Sequence, residues 1–195
     1  MQKQFEAIRQ RIARDESNAA FTKLGYQPLF TAGEKARIVV VGHAPGRKTQ
    51  ELGIPWQDAS GLKLMDWLGV TEEQFRDTRQ FAQLPMDFYY QGKGKSGDNP
   101  PRKGFAPRWH PLLLKLMPEV RLFVLIGAYA QAYYLGDRRQ RNLTETVRAY
   151  ANYLPGFFPL VHPSPLNFRW QGKNPWFEQE VLPALKTSVR AALAD

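Results

Sequence analysis

The sequence predicts an α/β protein, a three-layer α/β/α fold around a central, mainly parallel four-stranded sheet. Three observations lead there. Short apolar runs such as Ile38 to Val41 end at glycine or turn residues, the pattern of strands buried on both faces. Segments with helical periodicity separate these runs. No repeat or long linker breaks the alternation, and alternating strand and helix argue for a parallel sheet covered on both sides.

The elements follow in order. Phe5, Ile8 and Ile12 share one face of an N-terminal helix, within residues 1–20, whose arginines lie opposite. This helix is an appendage to a single domain spanning 1–195. "RIVVVG" is the first strand. "SGLKLMDWLGV" is a helix with Ser60 as its cap, and "TEEQFRDTRQF" a second helix with a Thr71–Gln74 capping box. Met86 to Tyr90 reads as the second strand. "QGKGKSGDNPPRKGFAPRWH" is a loop by composition, and "HPLLLKLM" a helix with Pro111 in its first turn. "VRLFVLIG" is the third strand, with "AYAQAYYLG" and "TETVRAYANYL" as helices after it. "FFPLVH" is the fourth strand, and a closing helical region follows, interrupted at Pro183.

Bulk chemistry narrows the function. The 195 residues are 43% hydrophobic and 13% aromatic, which is globular rather than disordered. A net charge of +9 favours a polyanionic partner, nucleic acid first. Cysteine is absent, which removes disulfides, thiolate nucleophiles, iron–sulfur clusters and cysteine-ligated zinc. With three histidines in the chain, no metal site and no cofactor are expected. The N-terminal segment is charged throughout and the longest apolar run is short, so the expectation is a cytoplasmic protein without a membrane partner.

In an open parallel sheet, ligands bind beyond the carboxyl ends of the strands. Three loops are placed there. "GHAPG", Gly42 to Gly46, is either an ordinary strand-to-helix turn or a backbone cradle for a ligand. "YYQGKGKSGDNPP" leads into a basic stretch with Lys93, Lys95, Arg102 and Lys103. "HPSPLN" holds His162 and Ser164 on a backbone stiffened by two prolines, with Leu166 as an apolar tip and Arg169 close behind. Trp56, in "GIPWQDASG", is either a core residue or a stacking platform. Asp87, inside an apolar run, is either a capping aspartate or a carboxylate with a task.

Taken together, "GHAPG", "GIPWQDASG", the strand-and-helix "RLFVLIGAYAQAYYLG" and an intact "HPSPL" resemble the uracil-DNA glycosylase superfamily, over about Arg37 to Arg169. The layout is nearest to the thermophile-type branch. The resemblance implies a monofunctional glycosylase that hydrolyses the N-glycosidic bond of a flipped-out uracil or related damaged base. It implies that the backbone of Gly42, Ala44, Pro45 and Gly46 lines the pocket, that Trp56 stacks on the base, and that Asp87 reads the base edge. It implies that His162 donates to the base O2, that Ser164, Asn167 and Arg169 meet DNA, and that Leu166 fills the vacated stack. DNA is then the partner, and a monomer the expected state.

Three departures accompany the match. The variable positions of the first motif, which commonly hold Asp, Asn or Glu, are His43 and Ala44 here, leaving His43 to position water. Asp87 replaces an asparagine, and an ionised aspartate only accepts hydrogen bonds. The branch's four cluster cysteines are absent, and the basic segment Tyr90 to Arg108 is read instead as tracking the DNA backbone. Two further readings stand beside the enzyme: a glycosylase-fold nucleic-acid-binding protein with weak or no catalysis, and an enzyme of small nucleotides.

Overall fold

The computed structural model describes residues 2–194. Four strands, β1 (Ile38–Val41), β2 (Phe81–Gln83), β3 (Leu122–Ile126) and β4 (Phe157–Leu160), form an all-parallel sheet in the order β2-β1-β3-β4. The helices are α1 (Gln2–Arg14), α2 (Ala19–Lys23), α3 (Arg47–Leu52), α4 (Ala59–Leu68), α5 (Glu72–Arg76), α6 (Phe105–Leu114), α7 (Gly127–Leu135), α8 (Leu143–Arg148), α9 (Phe168–Lys173) and α10 (Leu182–Leu193).

Side-chain alternation along the strands builds the two outer layers. Val39, Val41 and Leu125 face one core with Phe5, Ile8 and Ile12 of α1, Trp109 and Leu113 of α6, and Leu135 of α7. Ile38, Val40, Val124 and Ile126 face the other with Leu64 and Leu68 of α4, Phe75 of α5, Val147 of α8 and Leu185 and Val189 of α10. Both faces of β1 are therefore dry, which is what its β-branched sequence requires. Helix α1 packs into the first core on the apolar face that its periodicity marks. Among the described residues, no helix is long and apolar enough to cross a membrane.

Several elements differ from expectation. The second strand is Phe81–Gln83, not Met86 to Tyr90. Pro85 has no N–H to give a ladder, and the Asp87 carboxylate accepts from Tyr89 N at 3.1 Å, curling the chain. The cap of α4 is Asp58, which accepts from Gly61 N at 3.0 Å, rather than Ser60. Helix α6 begins at Phe105, so Pro111 lies inside it. Helix α8 stops at Arg148 and continues as a 3₁₀ turn, Tyr150–Tyr153. Pro183 does not interrupt the closing region: it sits in the first turn of α10, after a π-helical turn, Phe177–Val181. The Thr71–Gln74 capping box closes with both bonds, at 3.2 and 3.0 Å.

Candidate active site

At the carboxyl end of β1, Gly42, His43, Ala44, Pro45 and Gly46 lead into α3 and form one wall of a cleft of about 550 Å³. Pro55, Trp56, Asp58 and Ser60 form a second wall, and Pro85 and His162 complete it. Residues 42–60, Pro85 and His162, far apart in sequence, thus meet at one sheet edge.

Close contact sets their geometry. A Cβ on Gly42 would lie 3.0 Å from Trp56 Cζ2, so the glycine lets the indole settle over the end of β1. Trp56 adopts a left-handed backbone, with φ 57°, which is uncommon outside glycine. Two features hold it there. The carbonyl of Trp56 sits where a Cβ on Gly61 would be, only 1.9 Å away. The Arg76 guanidinium donates to Pro55 O, to Trp56 O at 3.4 Å and to Gln57 Oε1 at 3.0 Å. The indole faces the His162 ring, with centroids 5.9 Å apart and planes 33° apart.

Both site histidines are held neutral. Burial pushes the His43 pKa down, against the opposing pull of Asp98 and Asp87. The His43 ring packs edge-on against Tyr129 at 5.2 Å. His162 is open to solvent on one side, and partial desolvation by the wall lowers its pKa. Asp58 pulls it back up and His43 pushes it down, so both groups act on His162 across the cleft. Behind the wall lies His110, which neither touches the cleft nor was singled out by sequence. It holds Pro85 O at 2.9 Å through Nε2 and pairs with Tyr134 Oη at 2.8 Å through Nδ1. Burial pushes its pKa down to about 4.

The "HPSPLN" loop continues from His162 as a 3₁₀ turn, Pro165–Asn167. Ser164 Oγ caps it by accepting from Leu166 N at 3.2 Å. Asn167 Nδ2 donates to the His162 carbonyl at 2.6 Å, tying the loop tip to the histidine. Leu166 is 83% exposed and Phe168 60%, an arrangement that a free apolar surface alone would disfavour. Arg169 lies over the Phe168 ring at 5.6 Å.

Asp87 needs correction. It does not line the cleft, is fully buried, and its two oxygens are taken by N–H donors. Arg102 Nε reaches Oδ2 at 2.7 Å, Arg102 Nη2 reaches Oδ1 at 2.9 Å, and the backbone N–H groups of Tyr89 and Arg102 complete the set. Both oxygens are engaged within the fold, so neither is free to meet a base. The reading of Asp87 as a group that touches the base therefore fails on geometry. Arg102 is corrected with it. Its remaining donors hold Ser17 O at 3.0 Å and Asn18 Oδ1 at 2.8 Å, and Phe105 lies 4.7 Å from it, so it fastens the N-terminal segment rather than tracking DNA. Of the other basic residues, Lys93 pairs loosely with Asp98 across a small hairpin, at 3.9 Å. Lys95 and Lys103 are exposed and make no ion pair among the described residues.

The order of these loops around a four-stranded parallel sheet has a counterpart among known proteins. The model of the uracil DNA glycosylase superfamily matches residues 30–186. The chain belongs to that superfamily. The match takes in all four strands and every lining residue of the cleft except Leu29. Among solved structures, the chain is similar to a candidate uracil DNA glycosylase of Methanosarcina acetivorans solved by NMR, at 17% identity and a TM-score of 0.45. The similarity covers 82% of this chain and 94% of that one.

Sequence reasoning did not single out six lining residues as site residues: Leu29, Thr49, Pro55, Asp58, Ser60 and Pro85. Asp58 was legible as an aspartate three residues before a glycine at a helix start, the pattern of a cap.

Proposed function

We propose that the protein is a DNA glycosylase that hydrolyses the N-glycosidic bond of a flipped-out uracil or related damaged base. One observation carries this reading. The "GHAPG" backbone, the Trp56 ring and His162 converge on a single cleft at the sheet edge.

A base inside a duplex cannot be reached, so it is extruded into the cleft. Trp56 offers a flat apolar face for stacking, and its strained backbone is fixed before the base arrives. Neutral His162 donates an N–H to the base oxygen, where negative charge grows as the C1′–N1 bond breaks. A donor already in place stabilises charge that exists only near the transition state. Leu166 enters the stack that the base vacates. Ser164 and Arg169 meet the backbone beside it, and Lys93, Lys95 and Lys103 extend the contact, each neutralised phosphate releasing counterions.

The test is excision of uracil from single-stranded and duplex oligonucleotides, read as strand scission after alkali. Scission that His162→Ala abolishes is expected. Salt-sensitive DNA binding without scission of uracil or other lesions would favour a second reading, a nucleic-acid-binding protein of the same fold. That reading draws on His43 and Ala44, which leave the first motif without a carboxylate. Replacing both Lys95 and Lys103 by alanine lowers the slope of log affinity against log salt by roughly two.

A further inference from the structure

Negative charge near the sugar carbon favours glycoside hydrolysis, since it can take a proton from water and steady the cationic sugar. The first-motif loop offers none, since His43 is neutral against Tyr129 and Ala44 is inert. Asp87 is consumed by Arg102. Among the described residues lining the cleft there is one carboxylate, Asp58.

Its surroundings fit a working group. Asp58 stands at the start of α4, two residues after Trp56. Oδ1 is pinned by Gly61 N at 3.0 Å, which fixes the side chain. Oδ2 has no hydrogen-bond partner among the described residues, and Asp58 is open to solvent. The segment carrying it is clamped by Arg76 on one side and by the contact with Gly61 on the other. His162, across the same cleft, feels its charge.

We infer that Asp58 is the catalytic carboxylate of this site, placed on the Trp56 segment instead of the first motif. This inference rests on the glycosylase reading. Water held by Oδ2 attacks C1′ as the C1′–N1 bond breaks, and the bonding pair leaves with the base toward the His162 donor. One proton of that water passes to the Asp58 carboxylate and then to the base nitrogen. The products are an abasic sugar with a C1′ hydroxyl and the free base, and the carboxylate is restored.

Asp58→Asn is the informative variant, because asparagine caps a helix as well as aspartate does. Two readouts are made on the full chain. In single-turnover excision, the variant is expected to fall by roughly 100-fold or more. In binding, DNA carrying a cationic pyrrolidine abasic analogue is compared with DNA carrying the neutral tetrahydrofuran analogue. Wild type is expected to prefer the cation by roughly tenfold or more, and the variant to lose that preference while holding the neutral analogue unchanged. Excision by wild type that survives in the variant overturns the inference and leaves the glycosylase reading intact. A preference for the cation that depends on Asp58, without excision of any lesion, overturns the glycosylase reading and with it the catalytic role of Asp58. No preference for the cation, or no binding of either analogue, overturns the Asp58 assignment.

Discussion

Two carboxylates flank the end of β1, and they meet opposite fates. Asp87 is buried, with Arg102 gripping it through two nitrogens and two backbone N–H groups filling the remainder. Asp58 is open, with one oxygen engaged and the other without a protein partner. Asp87 lies in an apolar run and Asp58 in a polar stretch. What separates them is unused hydrogen-bonding capacity. A carboxylate whose lone pairs are all answered by fixed donors holds a fold together. A carboxylate pinned by one bond and open at the other oxygen can act on a substrate.

The largest effect should come from breaking the closed pair. Asp87→Ala leaves a guanidinium in a cage of aromatic rings without its counter-charge, and a loss of about 3–5 kcal/mol is expected in denaturant unfolding. A loss below about 1 kcal/mol, the range of surface pairs, would show that the pair is not structural.

Acid sharpens the same contrast on the wall between the two aspartates. Burial keeps His110 neutral where it holds Pro85 O and Tyr134 Oη. Its folded pKa, about 4, lies below the ordinary 6.5, so the unfolded chain binds the extra proton first. Stability from this group is complete above pH 6.5 and declines as pH falls toward 4. The decline amounts to about 3 kcal/mol at pH 4. Unfolding across that range checks it, and His110→Phe should flatten this part of the profile.

Gly61→Ala tests the fixed geometry of the open side. The added methyl collides with the Trp56 carbonyl, and the segment must shift. A cost of about 1–3 kcal/mol is expected, with weaker quenching of Trp56 fluorescence by His162 and loss of excision. The smallest effect belongs to Asp58 as a cap. Asp58→Ala should cost about 1 kcal/mol and Asp58→Asn almost nothing, far less than the change at Asp87.

The fold was largely legible because its strands are written in local chemistry. Ile38 to Val41, Leu122 to Ile126 and Phe157 to Leu160 are apolar runs bounded by turns, and each is a strand. β2 was misplaced because three residues, one of them Gln83, carry little signal beside the longer apolar run that follows. Gln83 Nε2 donates to Phe75 O at 3.1 Å, a partner eight residues away, while its Oε1 is buried without a partner among the described residues. The cleft was legible in part. The motif order names Gly42 to Gly46, Trp56 and His162, and the structure brings them to one cleft. That order misjudged the aspartates, because pairing is settled in space. Arg102 stands fifteen residues beyond Asp87 in a segment that reads as a basic DNA-tracking loop, and no local pattern ties the two. Asp58 and Ser60 are both good capping residues, and only the path of the chain into α4 chooses between them.

The most direct test sets one residue of the open cleft against one of the closed pair. Single-turnover excision of uracil from a single-stranded oligonucleotide would be measured for His162→Ala and Asp87→Ala, at a temperature where circular dichroism shows both folded. The account predicts that His162→Ala loses roughly 100-fold or more, while Asp87→Ala stays close to wild type. Equal losses in the two folded variants, or full activity without His162, would contradict it.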